Sequence, residues 1–284
     1  MRQIFDEDRK QRASENMDRP ERNSLNLARI TGVLLLLASI SGVAFVFLEA
    51  FFGTWGDSNA EYHAAVAFAA YHQHPLAIPL FYYGSMLVGL LFIALAPLLY
   101  LNVARSQTPL KLIAAISQVL AGLIQALAAS RWVIVLPMLA QNYADPQTSA
   151  ATHAALDVTY QTISYSLGLT LGEHFYLLFT VEIRNDMNER ILLTLGEHFY
   201  LLFTGSWSLL LAISLLRSPG EKVWLGWLGV VAGTFLLLGS FEQLPFSFGN
   251  ILLFFVFGGG FIWLVWAVSL ALTLLTTKGS EKRR

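Results

Sequence analysis

The residues best suited to chemistry in this chain of 284 residues fall at one depth along its apolar segments. Glu49 stands 19 residues past Ile30, Arg131 stands 21 past Leu110, His198 lies 19 before Arg217, and Glu242 lies 19 past Val223. At a helical rise of about 1.5 Å per residue, each sits roughly 30 Å along its segment, where a hydrocarbon layer would end. Glu197 adjoins His198 at the same level. An arginine short of water pairs with carboxylates, and a histidine titrates near neutral pH. Glu49, Arg131, Glu197, His198 and Glu242 therefore read as one polar binding cluster, with Glu173 and His174 as a second copy of its Glu-His pair. A plainer account stands beside it: helices end where polar residues begin, so equal depth arises without a site.

Metal chemistry has weaker carriers. His72-x-His74, if extended, points both rings to one side, and with His198 and Glu197 it offers the imidazole and carboxylate ligands that suit zinc or iron. No His-Glu-x-x-His supports it, so no metal is assigned and His72, His74 and His198 remain the candidates. No Gly-x-Ser-x-Gly marks a hydrolase, and Gly258-Gly259-Gly260 lacks the Lys-Ser/Thr of a phosphate loop, reading as a packing notch or kink. Trp263 and Trp266 read as packing residues rather than a cofactor box. No catalytic residue and no cofactor is expected.

The elements that position these groups are set by composition. With 55% hydrophobic and 13% charged residues and a mean hydropathy of +0.56, the chain reads as an all-α, polytopic transmembrane helix bundle whose partner is the lipid bilayer. A net charge of −1 gives no electrostatic case for nucleic acid. Absence of cysteine excludes disulfides and thiolate sites. Residues 1–29 form a charged tail that cannot bury enough surface to order itself, and the span after it is too long for a cleaved signal peptide. Six spans are expected, at about 30–50, 76–102, 110–131, 198–216, 223–240 and 250–275, with amphipathic helices on the outer face and a basic tail at 278–284. Within them, Gly229-x-x-x-Gly233 offers a small-residue face for close packing, while Pro137 and Asp145-Pro146 break up the stretch after the third span.

LTLGEHFYLLFT occurs twice without a change, at Leu169–Thr180 and Leu193–Thr204. If both copies span, seven helices result, and only 11 of the 18 cations lie on the N-terminal side. If the second alone spans, the seven cations of the tail, Arg105 with Lys111, Arg217 with Lys222, and the four at the C-terminus share that side, 15 of 18. The positive-inside rule selects six spans with both termini cytoplasmic. Removing 169–192 leaves one uninterrupted helix, so this stretch reads as an inserted duplicate plus charged spacer that forms extra helix outside the membrane. A sharper alternative has the two copies exchange in one slot as a switch.

Arg29-x-x-Gly32 opening a Leu-rich helix, Arg131-Trp132 followed by Pro137-x-Leu139-Ala140, and Gly-Glu-His-x-x-Tyr before the fourth span resemble a family of uncharacterised bacterial multi-pass membrane proteins, known only as a domain of unknown function. The resemblance covers about Leu25 to Thr277 and implies a bacterial inner-membrane location and one copy of the Gly-Glu-His stretch, from which the duplication departs. It implies no catalytic residues. The expected activity is a non-enzymatic sensing, binding or scaffold module; the alternative is a small-solute permease, for which Gln118 and Gln125 speak, and a metal-dependent membrane enzyme is a distant third.

Overall fold

Where no water competes for backbone N–H and C=O groups, a chain this apolar satisfies them within helices. The computed structural model describes residues 26–41, 64–103, 109–167, 187–218, 222–241 and 249–276, with side chains for all of these except 164–167, 187–198 and 249–253. Among the described residues every regular element is helical. They are α1 (Asn26–Ser41), α2 (Ala64–Gln73), α3 (Ala77–Asn102), α4 (Pro109–Ser130), a π-helical turn (Arg131–Val135), α5 (Leu136–Tyr143), α6 (Ala150–Leu167), α7 (Met187–Leu216), α8 (Val223–Gly239) and α9 (Gly249–Thr276). Four stretches are long and apolar enough to cross a membrane: Ala77–Asn102, Pro109–Tyr143, Phe199–Leu216 and Phe254–Thr276. The described parts of α1 and α8 are apolar but shorter.

Pro137 does not end a helix. The chain runs through it from Pro109 to Tyr143, because the turn just ahead is π-helical and Leu136 donates its N–H to the Arg131 carbonyl, five residues back. A proline has no N–H and its ring presses on the carbonyl four residues earlier, here that of Val133; widening the turn accommodates both. The break falls instead after Tyr143. There Asp145 Oδ1 accepts the Gln147 N–H at 2.9 Å, and Ser149 Oγ accepts the Thr152 N–H at 3.2 Å, capping α6.

Two hydrophobic cores result. The bundle core joins α1, α3, α4, α7, α8 and α9 through Leu35, Leu95, Trp207, Leu225, Trp266 and Leu270. The other, which we call the cap core, gathers Phe68 of α2, Tyr82 of α3, Trp132, Leu136 and Leu139 of the turn and α5, and Tyr160 of α6. Among the described residues, α3 and the helix containing α4 contribute to both.

Lipid tails are as apolar as leucine, so the bundle is held by close van der Waals contact rather than by escape from water. Glycine permits that contact. A Cβ on Gly89 of α3 would fall 2.6 Å from the Gly122 carbonyl oxygen of α4, and one on Gly122 would fall 2.5 Å from that of Gly89. Gly233 of α8 meets α7 in the same way, 2.6 Å from the Leu209 nitrogen, and a Cβ on Gly229 would strike the Trp266 indole. The space so made is filled by rings: Trp207 lies 5.6 Å from Trp266, 5.9 Å from Trp263 and 6.1 Å from Phe92, centroid to centroid. Trp263 and Trp266 are thus packing residues, and the glycine run of α9 is a notch at Gly259, where a Cβ would meet Phe235 and Leu236. Hydroxyls of Ser39, Ser208, Ser214 and Ser218 bond carbonyls four residues back on their own helices.

Helix α4 reverses the usual arrangement of a soluble helix. Its buried positions are small or polar, among them Ala114, Ser117, Gln118, Ala121, Gly122 and Gln125, while Leu112, Ile113, Ile116, Leu123 and Leu127 are exposed.

Helix α7 carries the second copy of the repeat, and Tyr200, Leu201 and Thr204 are buried in the bundle. The residues just after Thr204 supply the reason. Gly205 approaches the Gly233 carbonyl so closely that a Cβ would be 2.9 Å away, and Trp207 is fully buried. After Thr180 the corresponding positions are Val181 and Ile183, in a spacer with five charges among twelve residues. The first copy, with Glu173 and His174, lies outside the described residues.

Replacing Gly122 or Gly89 by alanine is expected to cost about 1–3 kcal/mol through overpacking, with the double variant costing less than the sum because both relieve one contact. Gly260→Ala, where nothing lies within 4 Å, should be neutral or stabilising by up to about 1 kcal/mol. Thermal melting in detergent compares all three.

Candidate functional site

Arg131 is the one member of the sequence-derived cluster whose side chain is described, and it is 4% exposed. It opens the π-helical turn, where the wider winding brings consecutive residues towards one face, so Arg131 and Trp132 are both buried. The Arg131 guanidinium carbon lies 5.4 Å from the Trp132 ring centroid. Trp132 in turn stacks on Tyr82 of α3, with centroids 4.6 Å apart and planes 8° from parallel. A cavity of about 10 Å³, room for about one water molecule, is lined by Arg131, Trp132, Val135, Leu136, Tyr160 and Ile163. The Trp132 indole Nε1–H is buried and has no hydrogen-bond partner among the described residues. Arg131, Tyr82, Tyr160 and Ile163 all make further contacts. The cavity is thus walled mainly by apolar and aromatic groups and set where the cap core meets the bundle.

The other members fall differently. Glu197 and His198 belong to α7, but their side chains are outside the description, and Glu49 and Glu242 lie outside the described residues altogether. His72 and His74 are exposed, and the His72 Nε2 lies 3.3 Å from the Ala140 carbonyl oxygen, tying α2 to α5. Among the described residues no three His, Asp or Glu groups converge as a metal site would require. His153 packs its ring edge-on to Tyr143 at 4.4 Å, and Tyr143 lies 4.9 Å from Phe68.

Residues 30–271 match the family described as Domain of unknown function (DUF4386). The chain belongs to this family. No curated protein and no solved structure matches it. The DUF4386 match spans both copies of the repeat and the elements from most of α1 to most of α9, so the joint at Arg131 lies inside the family's domain rather than in an appended segment.

Three features of this DUF4386 domain come from its packing. The Tyr82–Trp132 stack pairs residues from different helices and has no local signature. The Gly89–Gly122 crossing does have one: Ser85-x-x-x-Gly89 and Gly122-x-x-x-Ala126 are both small-residue pairs at one-turn spacing. Lys111, at the far end of α4, is buried with its ammonium 5.1 Å from the Tyr100 ring centroid, and Asn102, two residues past that tyrosine, donates to Thr31 Oγ1 at 2.9 Å. In the sequence Lys111 reads, with Arg105, as a cation between two spans, a reading that carries no sign of its burial.

Trp132→Ala removes the stack and is expected to cost the cap about 3–5 kcal/mol. Proteolysis in the 144–149 turn should quicken, while the unfolding transition seen by Trp207 and Trp266 stays in place. Trp132→Phe, which keeps an aromatic face for Tyr82, should recover most of the protection.

Proposed function

We propose that the protein is a six-span protein of the bacterial inner membrane, with both termini cytoplasmic and α2, α5 and α6 capping its outer face, and that it is a non-enzymatic binding or sensing module. The observation that carries this reading is the burial of Arg131 against Trp132 at the joint between two cores. Arginine is weakly hydrated and holds five N–H donors in a fixed fork, so a buried one at a joint recognises an acceptor group and fixes geometry at once. A ligand or partner that alters the cap packing around Trp132 and Tyr160 acts on a helix that continues unbroken into the bundle. Sensing needs such a mechanical connection; catalysis needs a nucleophile or base, which the described residues do not assemble here.

A small-solute permease is the second reading. The inward polar face of α4, with Gln125 donating to Ser85 at 2.6 Å and Gln118 fully buried, favours it. Against it stands the tight packing of α3 on α4 at Gly89–Gly122.

The chain has no cysteine, so single-cysteine variants report without background. Asn142→Cys, on the exposed side of α5, should react with a membrane-impermeant maleimide in intact cells stripped of their outer membrane, and Lys278→Cys only after permeabilisation; the opposite pattern reverses the topology. Proteoliposomes holding the protein should take up labelled amino acids, sugars and urea no faster than empty vesicles. Uptake above that background, lost in Gln125→Leu, would replace sensing by transport.

A further inference from the structure

Gln118 is 0% exposed, and neither its Oε1 nor its Nε2 has a hydrogen-bond partner among the described residues. Leaving a buried amide unbonded costs roughly 2–7 kcal/mol depending on its surroundings, and the lipid-facing positions of α4 show that its other face accepts leucine and isoleucine freely. The carboxamide is also part of a pattern. Lys111, Gln118 and Gln125 recur every seven residues, or about two turns, and Arg131 closes the row, so four polar side chains run down the buried face of one helix. Gln125 is bonded to Ser85 of α3. The antiparallel register that sets Gly122 against Gly89 and Gln125 beside Ser85 brings Gln118 level with the next turn of α3, around Phe92 and Ile93. Phe92 packs on Trp207 and Trp263, and the buried Nε1–H groups of Trp263 and Trp266 likewise have no bond among the described residues. The layer of the bundle around Phe92 thus holds a carboxamide donor and acceptor unmet by the described residues.

We propose that Gln118 is the binding residue of a polar site inside the bundle, whose occupant is a small neutral molecule carrying a hydrogen-bond donor and acceptor side by side: water, or a solute of the urea type. Gln118 offers the complementary pair from one side chain. The inference rests on α4 crossing a membrane and on neither activity proposed above.

The test is exchange of the Gln118 side-chain amide with D₂O, followed by NMR on protein labelled at glutamine nitrogen in lipid nanodiscs. The signal is assigned by its loss in Gln118→Leu or, should that variant fold poorly, in Gln118→Met. Exchange roughly tenfold or more faster than that of the Gln125 amide, which is bonded to Ser85, supports the site. A saturable shift of the same signal on adding urea identifies the occupant as a urea-type solute; fast exchange without it identifies water. Exchange as slow as that of Gln125, with no urea shift, overturns the proposal. None of these results depends on Arg131 or on uptake, so failure here leaves the sensing reading standing.

Discussion

Everything in this structure depends on how closely backbones approach one another at a few glycines. In water a bundle is held by the release of apolar surface; in lipid that term vanishes and the gain comes from contact itself, which falls away steeply with distance. Gly89 against Gly122 and Gly205 against Gly233 put carbonyl oxygens of one helix where a side chain of the next would begin. These two crossings bring α3 to α4 and α7 to α8. The aromatic layer of Phe92, Trp207, Trp263 and Trp266 then fills the wider space between the pairs. Large rings and absent side chains are complementary parts of one packing solution: the Trp266 indole occupies the room that Gly229 vacates.

The second core follows a different physics. Its contacts are aromatic and specific in geometry: Tyr82 flat on Trp132, Phe68 edge-on to Tyr160, Tyr143 against His153. Its helices are short, and α6 begins at serine and aspartate groups of the kind that shape aqueous turns. The π-helical turn makes the two regimes compatible. One extra residue in a turn re-aims everything beyond it by about 100°, so α5 presents Leu136, Leu139 and Ala140 to the cap rather than continuing the face that α4 gives to the bundle.

How much of this was legible in the sequence varies by element. Composition alone dictates an all-helical class, and Gly229-x-x-x-Gly233 marks a close crossing because the spacing itself is the mechanism. Continuity through Pro137 was not legible: a proline reads as a local stop, and whether a widened turn rescues it depends on neighbours such as Tyr82 that are distant in sequence. Gln118 was visible as a polar residue in an apolar run, but its lack of a partner is a property of three-dimensional packing. Of the polar cluster at equal depth, Arg131 has a described place, at a joint rather than at a helix end. The repeat was fully visible as a sequence; that Gly205 and Trp207, just after its second copy, are packed in the bundle was not.

The helix from Pro109 to Tyr143 has a consequence of scale. Its 35 residues make a rod of roughly 50 Å, against a hydrocarbon layer of about 30 Å. Such a rod is a lever, and the glycine crossing at Gly122 is its fulcrum, with unequal arms of roughly 20 Å towards Pro109 and 30 Å towards Tyr143. The widened turn stands part-way along the longer arm. A tilt of a few degrees about that crossing, too small to disturb the bundle packing, becomes a displacement of an ångström or more at Tyr143, the scale on which aromatic contacts are made or lost.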